Sequence, residues 1–450
     1  MNKTLIRLSF IALVIYGCQK STEEEQRNES ITGSISADDA SSTPAALAAF
    51  KMPASDDYAA IPQDPKNPIT AEKVELGKLL FHDSRMSSAS LAHRGRSTYS
   101  CATCHHAEAG FQSGMAQAIG EGGLGFGVAG EGRYADPSYI IDAIDIAPIR
   151  TPSVLNVAYS EVLMWSGQFG GTGINIGTEA NWTPGTPRYN NFLGYQGTET
   201  TGLSASSRHR LSVDEEYLSS IPEYKNLFDL AFPDLPESER ISNLTASLAM
   251  GAYQRTLLPN QSPFQLWLRG DKRAMNKDMT DGKTLFFGKA KCASCHSTPG
   301  LGAATFYSLG MNDLANGVGG AANVDPKAVE HRGRGGFTGL QKDMYQFKTP
   351  QLYNLKDVSY FGHGSSFTSL LDVVHYINNA VPQNGNVPAT RIANQFKPLY
   401  LTEDEINKLV TFIRDGLYDP NLSRYVPSSV PSGSCIPNND EQSRTDRGCN

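Results

Sequence analysis

Two stretches of the chain carry the pattern Cys-x-x-Cys-His: Cys101-Ala-Thr-Cys104-His105 and Cys292-Ala-Ser-Cys295-His296. The spacing puts both thiols on one side of a single turn, with the imidazole beside them. Thiols so placed add across the vinyl groups of a haem, and the His supplies an axial nitrogen to the iron. A zinc knuckle would need about four ligands in a tetrahedral array, and a redox dithiol has no use for the following His. The two copies therefore predict two covalently bound haems c, one on Cys101, Cys104 and His105, the other on Cys292, Cys295 and His296. An iron with two protein ligands carries electrons, whereas one with an open sixth position binds peroxide or oxygen.

The elements that position these motifs are repeated as well. GKLLF (Gly77 to Phe81) precedes the first motif and GKTLFFGKAK (Gly282 to Lys291) the second. Each reads as a short amphipathic helix ending in Leu-Phe, so the chain holds two copies of helix, loop and attachment site. Further helices are expected over Val213–Ser219, Glu239–Tyr253, Ser369–Asn378 and Glu403–Gly416; in the last, Ile406, Leu409, Val410 and Ile413 fall on one face. Alternating strand patterns are few. The 42 glycines concentrate in stretches such as Gly120–Gly132 and Gly317–Gly336. The expected fold is mostly α: two cytochrome c-like haem domains with long Gly-rich loops.

Composition bounds the rest. With 39% hydrophobic and 19% charged residues, the chain of 450 is globular, long enough for two or three domains. A net charge of −7 argues against nucleic-acid binding, which needs a basic face. At the start, Lys3 and Arg7 form a charged region ahead of a short apolar run, Leu8 to Tyr16, which fits a signal peptide rather than a membrane span. The run ends at Gly17-Cys18, which resembles a lipoprotein cleavage site, so Cys18 is the expected lipid anchor and the periplasm the expected location. Cys435 and Cys449 are left over in the tail, and in an exported protein they most simply form a disulfide. The expected division is signal peptide 1–17, flexible tether 18–60, first haem domain 61–265, second haem domain 266–420 and irregular tail 421–450.

From about Pro68 to Tyr418 the chain resembles the bacterial di-haem cytochrome c peroxidases and their MauG-like relatives. The resemblance is carried by ELGKLLFHDSRMSS (Glu75 to Ser88), SCATCHHAEAGF (Ser100 to Phe111), RTPSVLNVAYSEVLMWSGQF (Arg150 to Phe169), GKTLFFGKAKCASCH, FKTPQLYNL (Phe347 to Leu355) and FGHGSSFTSLLDVVHYIN (Phe361 to Asn378), in the family's order. It implies reduction of hydrogen peroxide to water at the N-terminal haem. Electrons would come from a small donor such as a cytochrome c or a cupredoxin, through the C-terminal haem. Trp165 matches the Trp that the family places between the haems.

The departures from the family are informative. Typical members carry a His roughly sixteen residues after the first motif's His that caps the iron in the resting form; here that segment is Gly-rich around Glu121, with no His from Ala107 until His209. This is similar to MauG-type members, which oxidise side chains of a partner protein; a di-haem electron carrier is the third possibility. YQGTETTGLSASSRHRL (Tyr195 to Leu211) is similar to the family's distal segment, which makes Glu199 and His209 the candidate acid–base groups, with Thr201 in the place of a Gln. His363 matches a family His at the second haem. The family's sixth ligand there, Met or Tyr, falls on Ile377, so Tyr376 and His375 become the candidates, or the position is open. The family's inter-domain calcium uses an Asn where this chain has Arg150, which argues against calcium.

Overall fold

The computed structural model describes residues 43–449. Six helices carry the architecture: α1 (Ala71–His82), α2 (Gly197–Arg208), α3 (Asn243–Arg255), α4 (Lys277–Phe287), α5 (Leu370–Asn379) and α6 (Glu403–Thr411). Two antiparallel ribbons accompany them. β1 (Gly123–Leu124) pairs with β2 (Tyr134–Ala135), and β3 (Phe306–Tyr307) with β4 (Phe347–Lys348), in the register Phe306 to Lys348. Among the described residues no helix is long and apolar enough to cross a membrane.

The repeated Gly-Lys lead-in has a packing reason. α1 crosses α3 at Gly77, where a Cβ would lie 2.0 Å from the Ala249 carbonyl oxygen. α4 crosses α6 at Gly282, where a Cβ would lie 2.0 Å from the Lys408 carbonyl oxygen. Both helix pairs therefore approach backbone to backbone, and an Ala at either position costs about 1–3 kcal/mol of overpacking. The helices start where polar caps allow: Thr70 for α1, Ser242 for α3, Asn276 for α4 and Thr402 for α6 each accept a hydrogen bond from a first-turn amide. The Phe at the end of each lead-in is buried, Phe81 in one core and Phe286 in the other, worth about 1.5–3 kcal/mol each.

The two cores exchange the chain ends. Leu76, Leu80, Phe81, Tyr99, Phe228 and Tyr253 form the first core, which Leu422, Tyr425 and Val430 join from the C-terminal tail. Phe264, Trp267, Phe286, Tyr353, Ile406 and Phe412 form the second, which Leu47, Met52 and Ile61 join from the start of the described chain. Two expectations are thereby corrected. The segment expected to be a tether up to residue 60 is already packed at Leu47, and the Met52 amide bonds the Gln265 side chain at 2.9 Å. The tail expected to be irregular contains a helix, Glu441–Arg447, and the Cys435–Cys449 disulfide. It also clasps the first motif: Ser100 donates to the Pro437 carbonyl at 2.9 Å, and buried Arg133 pairs with Asp440 at 3.3 Å. Cys18 and the apolar leader lie outside the described residues.

The expected helices are present with shifted ends. Glu239–Tyr253 divides at Ser242, whose extended backbone caps α3 and leaves Glu237–Arg240 as a separate turn. Glu403–Gly416 is α-helical only to Thr411 and ends in a π turn, Phe412–Gly416. Val213–Ser219 starts later, at Glu215, behind the Asp214 cap. α2 has no apolar periodicity to announce it, being rich in Thr, Ser and Gly.

Candidate functional site: two haem motifs on one cavity

Both Cys-x-x-Cys-His motifs line a single cavity of about 1050 Å³. That volume is at the top of the range of about 300–1,000 Å³ for ordinary ligand pockets, as two large planar groups would require. Each motif forms a 3₁₀ turn, Cys101–Thr103 and Cys292–Ser294. Burial pushes the thiols of Cys101, Cys104 and Cys292 up to about 12. Among the described residues no cluster of three or more His, Cys, Asp or Glu is placed to hold a metal ion.

The histidines are oriented alike. His105 Nδ1 lies 3.4 Å from the Phe111 carbonyl, and His296 Nδ1 lies 2.7 Å from the Leu301 carbonyl. The acceptor residues both sit in the left-handed region, φ 54° for Phe111 and φ 49° for Leu301, at a cost of roughly 1–2 kcal/mol each. The carbonyls of Pro152 and Pro350 add to the hold on the two rings. A carbonyl only accepts, so Nδ1 carries the proton and Nε2 is left to ligate iron. Burial pushes both imidazoles down to about 4, which keeps them neutral.

The repeat extends beyond the motifs. Arg150-Thr-Pro-Ser-Val-Leu-Asn156 corresponds to Lys348-Thr-Pro-Gln-Leu-Tyr-Asn354. Asn156 (φ 62°) and Asn354 (φ 56°) are both left-handed, and each opens a 3₁₀ turn, Val157–Tyr159 and Leu355–Asp357. Next come matching bridges, Leu163 to Phe169 and Phe361 to Phe367. Trp165 and His363 thereby hold equivalent positions. The copies meet reciprocally: the Arg150 amide donates to the His363 carbonyl at 2.9 Å, and the Lys348 amide to the Trp165 carbonyl at 2.8 Å. Such an exchange is the signature of a two-fold interface, here within one chain. Trp165 Nε1 donates to the Arg150 carbonyl at 2.7 Å, and its ring lies 6.3 Å from that of His363. Trp165 is therefore on the cavity wall at the junction of the copies.

The walls facing the two motifs differ. On the first side α2 presents Thr201, Ala205 and Arg208, followed by His209 at its end. His209 Nδ1 lies 2.9 Å from Asp145 Oδ2. Burial pushes the Asp145 carboxyl up, but the charge and hydrogen bond of His209, with Arg210 and Arg208, outweigh it and hold it below the ordinary carboxylate range. Glu199 is not in the cavity, a correction to the expected distal role. It lies two residues, about 200° of helix rotation, from Thr201. Its carboxylate is fully buried against Arg255, with Nε at 3.0 Å from one oxygen and Nη2 at 2.8 Å from the other, and Asn67 at 3.2 Å. Glu121, at the place of the expected capping His, accepts from the Leu91 and Ala92 amides at 3.0 and 2.8 Å and is also outside the cavity.

On the second side α5 presents Leu370, Val373, Val374 and Ile377, an i, i+3, i+4, i+7 face. Tyr376 and His375 are rotated off that face, which corrects their expected role as ligands. The Tyr376 hydroxyl donates to the Leu309 carbonyl at 2.6 Å, and His375 Nε2 lies 3.5 Å from Glu403. Met311, from an irregular segment with no sequence signal, lines the cavity instead. His363 is stacked on Phe347 at 3.6 Å and bonds Asp313 at 3.1 Å. Burial draws His363 down in spite of Asp313, so Nε2–H donates to an ionised carboxylate.

The chain resembles known proteins in sequence and in fold. Residues 71–273 match the family described as di-haem cytochrome c peroxidase. The chain is 29% identical over 371 residues to the methylamine utilization protein MauG of Methylorubrum extorquens, covering 81% of this chain and 82% of that protein. It is 26% identical over 346 residues to the cytochrome c551 peroxidase of Pseudomonas aeruginosa, covering 77% and 79%. The crystal structure of a MauG-like protein associated with microbial copper homeostasis superposes with a TM-score of 0.55 at 22% identity, over 84% of this chain and 96% of that one. Residues 71–273 thus match the di-haem cytochrome c peroxidase family, and the relatives that the whole chain resembles are cytochrome c peroxidases and MauG, haem-dependent oxidoreductases; the family implies two haems c.

Proposed function

We propose that the protein reduces hydrogen peroxide to water with two electrons from a small donor protein such as a cytochrome c or a cupredoxin. The reading rests on the inequality of the two walls: an acid–base pair, His209–Asp145, faces the first motif, and an apolar helix face meets the second. Cys101, Cys104 and His105 would hold one haem, and Cys292, Cys295 and His296 the other. The bound haems supply a peroxide-binding iron and a path for electrons. Asp145 accepts from Nδ1 of His209 and fixes its tautomer, which leaves Nε2 as a base. His209 then takes a proton from one peroxide oxygen and returns it to the other, so that water leaves; two electrons and two protons convert peroxide to two waters. Trp165, bonded to Arg150 and beside His363, lies on the route between the motifs.

In this reading residues 61–265 form the peroxidatic half and 266–420 the electron-transfer half, with residues 421–450 a structural part of the former. The protein is exported to the periplasm and held to a membrane by lipid on Cys18. A peroxide titration followed by optical and EPR spectra tests the reading. A high-spin ferric signal that peroxide consumes, followed by steady turnover of reduced donor, is expected. Two low-spin haems inert to peroxide would overturn it. A second reading, oxidation of side chains on a partner protein, is favoured by Glu121 in place of a capping His; oxidation by peroxide without turnover of any donor would select it.

A further inference from the structure

Among the described residues, two cations at the junction of the repeats have no carboxylate partner. Arg150 and Lys348 hold the same place in the two copies, each directly before Thr-Pro, and both line the cavity shared by His105 and His296. Arg150 is 5% exposed, and its Nε and Nη2 are buried without a hydrogen-bond partner. Lys348 Nζ reaches only the Thr349 carbonyl, at 3.5 Å. Burial alone pushes the Arg150 guanidinium down to about 10 and the Lys348 ammonium down to about 8, with no carboxylate to oppose it. Two other buried cations have a carboxylate: Arg255 pairs with Glu199 and Arg133 with Asp440. A buried charge without a partner is strongly unfavourable, and a guanidinium fork fits a carboxylate in two-point geometry.

We propose that Arg150 and Lys348 are a two-fold related pair of carboxylate-binding cations that take propionate groups of the two haems at the junction of the repeats. The proposal rests on the di-haem reading above and adds the anchor. The backbone makes the pair specific. The Arg150 amide and carbonyl are already fixed by His363 and Trp165, and the Lys348 amide by Trp165. Each side chain is thus held at the contact between the copies, where a propionate from either haem can meet it. Lys348 belongs to the second side, since its charge reaches His296.

The test is a redox titration of the holoprotein, followed optically, for wild type, Arg150→Gln, Arg150→Lys, Lys348→Gln and Lys348→Arg. Loss of a positive charge beside a propionate favours the ferric state. Arg150→Gln is therefore expected to lower the midpoint potential of at least one haem, and Lys348→Gln that of the haem on His296. The charge-conserving variants should stay near wild type. Unchanged potentials in both Gln variants would overturn the proposal. A wild-type potential that moves with chloride or phosphate concentration, and no longer does so in the Gln variants, would assign the cations to a free anion instead. A shift on adding a calcium chelator would show that a divalent ion, not Arg150, supplies the positive charge. If Arg150→Gln fails to mature, Lys348→Gln and the two charge-conserving variants carry the test. A wild-type pyridine haemochrome spectrum without two haems c would sink the di-haem reading itself, which separates the two failures.

Discussion

The two halves share a frame and differ in what they hang on it. Gly77 and Gly282 make the same close crossing, Phe111 and Leu301 aim the same carbonyl at an imidazole, and Asn156 and Asn354 open the same turn. At equivalent positions on that frame stand Trp165 and His363, Arg150 and Lys348, His82 and Phe287. The frame needs particular backbone geometry to seat a motif and to join the copies. The side chains facing the cavity are under no such constraint, so one half places His209–Asp145 over its motif and the other an apolar face. The comparison teaches that holding a haem and using it are separable demands on the same local structure.

Replacing the proposed acid–base group should have the largest effect. His209→Gln is expected to lower kcat/KM for peroxide by about 10²–10⁴-fold, with the optical spectrum of the haem on His296 unchanged. Activity near wild type would remove the chemical distinction between the halves. Glu199→Gln leaves Arg255 buried without its charge and should cost about 3–5 kcal/mol in denaturant unfolding, with peroxide kinetics per folded molecule intact. A kinetic loss without a stability loss would return Glu199 to the cavity.

His82→Phe gives the first half the residue of the second. Burial pushes His82 down to about 4, and its Nε2 has no partner. As pH falls below about 6.5 the unfolded chain takes up this proton and the folded one does not. The unfolded state then binds more protons, so stability falls with pH across this window, by about 3 kcal/mol when pH reaches 4. His82→Phe should flatten that dependence by one proton, read from urea midpoints at neutral and mildly acid pH. An unaltered slope would mean His82 is protonated in the fold. The smallest effect is expected of Tyr376→Phe, which loses one hydrogen bond to the Leu309 carbonyl, about 1 kcal/mol. Its haem spectra should match wild type, and a changed ferric low-spin band would restore the phenol as a ligand.

The sequence by itself determined the local parts: two motifs, the helices leading into them, the mostly α character and a pairing of Cys435 with Cys449. Each is written within a short window, as a spacing, a helical period or an elimination among cysteines. Tertiary structure alone decided what each side chain faces. Glu199 and Tyr376 are plausible in a linear motif, but a shift of one or two residues turns a helical side chain by about 100° or 200°, and packing chose the other face. Asp145, Asp313 and Met311 gave no sequence signal, because their partners are brought by distant segments: Asp145 to His209, Asp313 to His363, Met311 to the α5 wall. The exchange of chain ends between the cores, and the placing of Arg150 and Lys348 on one cavity through backbone bonds to His363 and Trp165, likewise arise only when the copies pack, since none of these contacts is local along the chain.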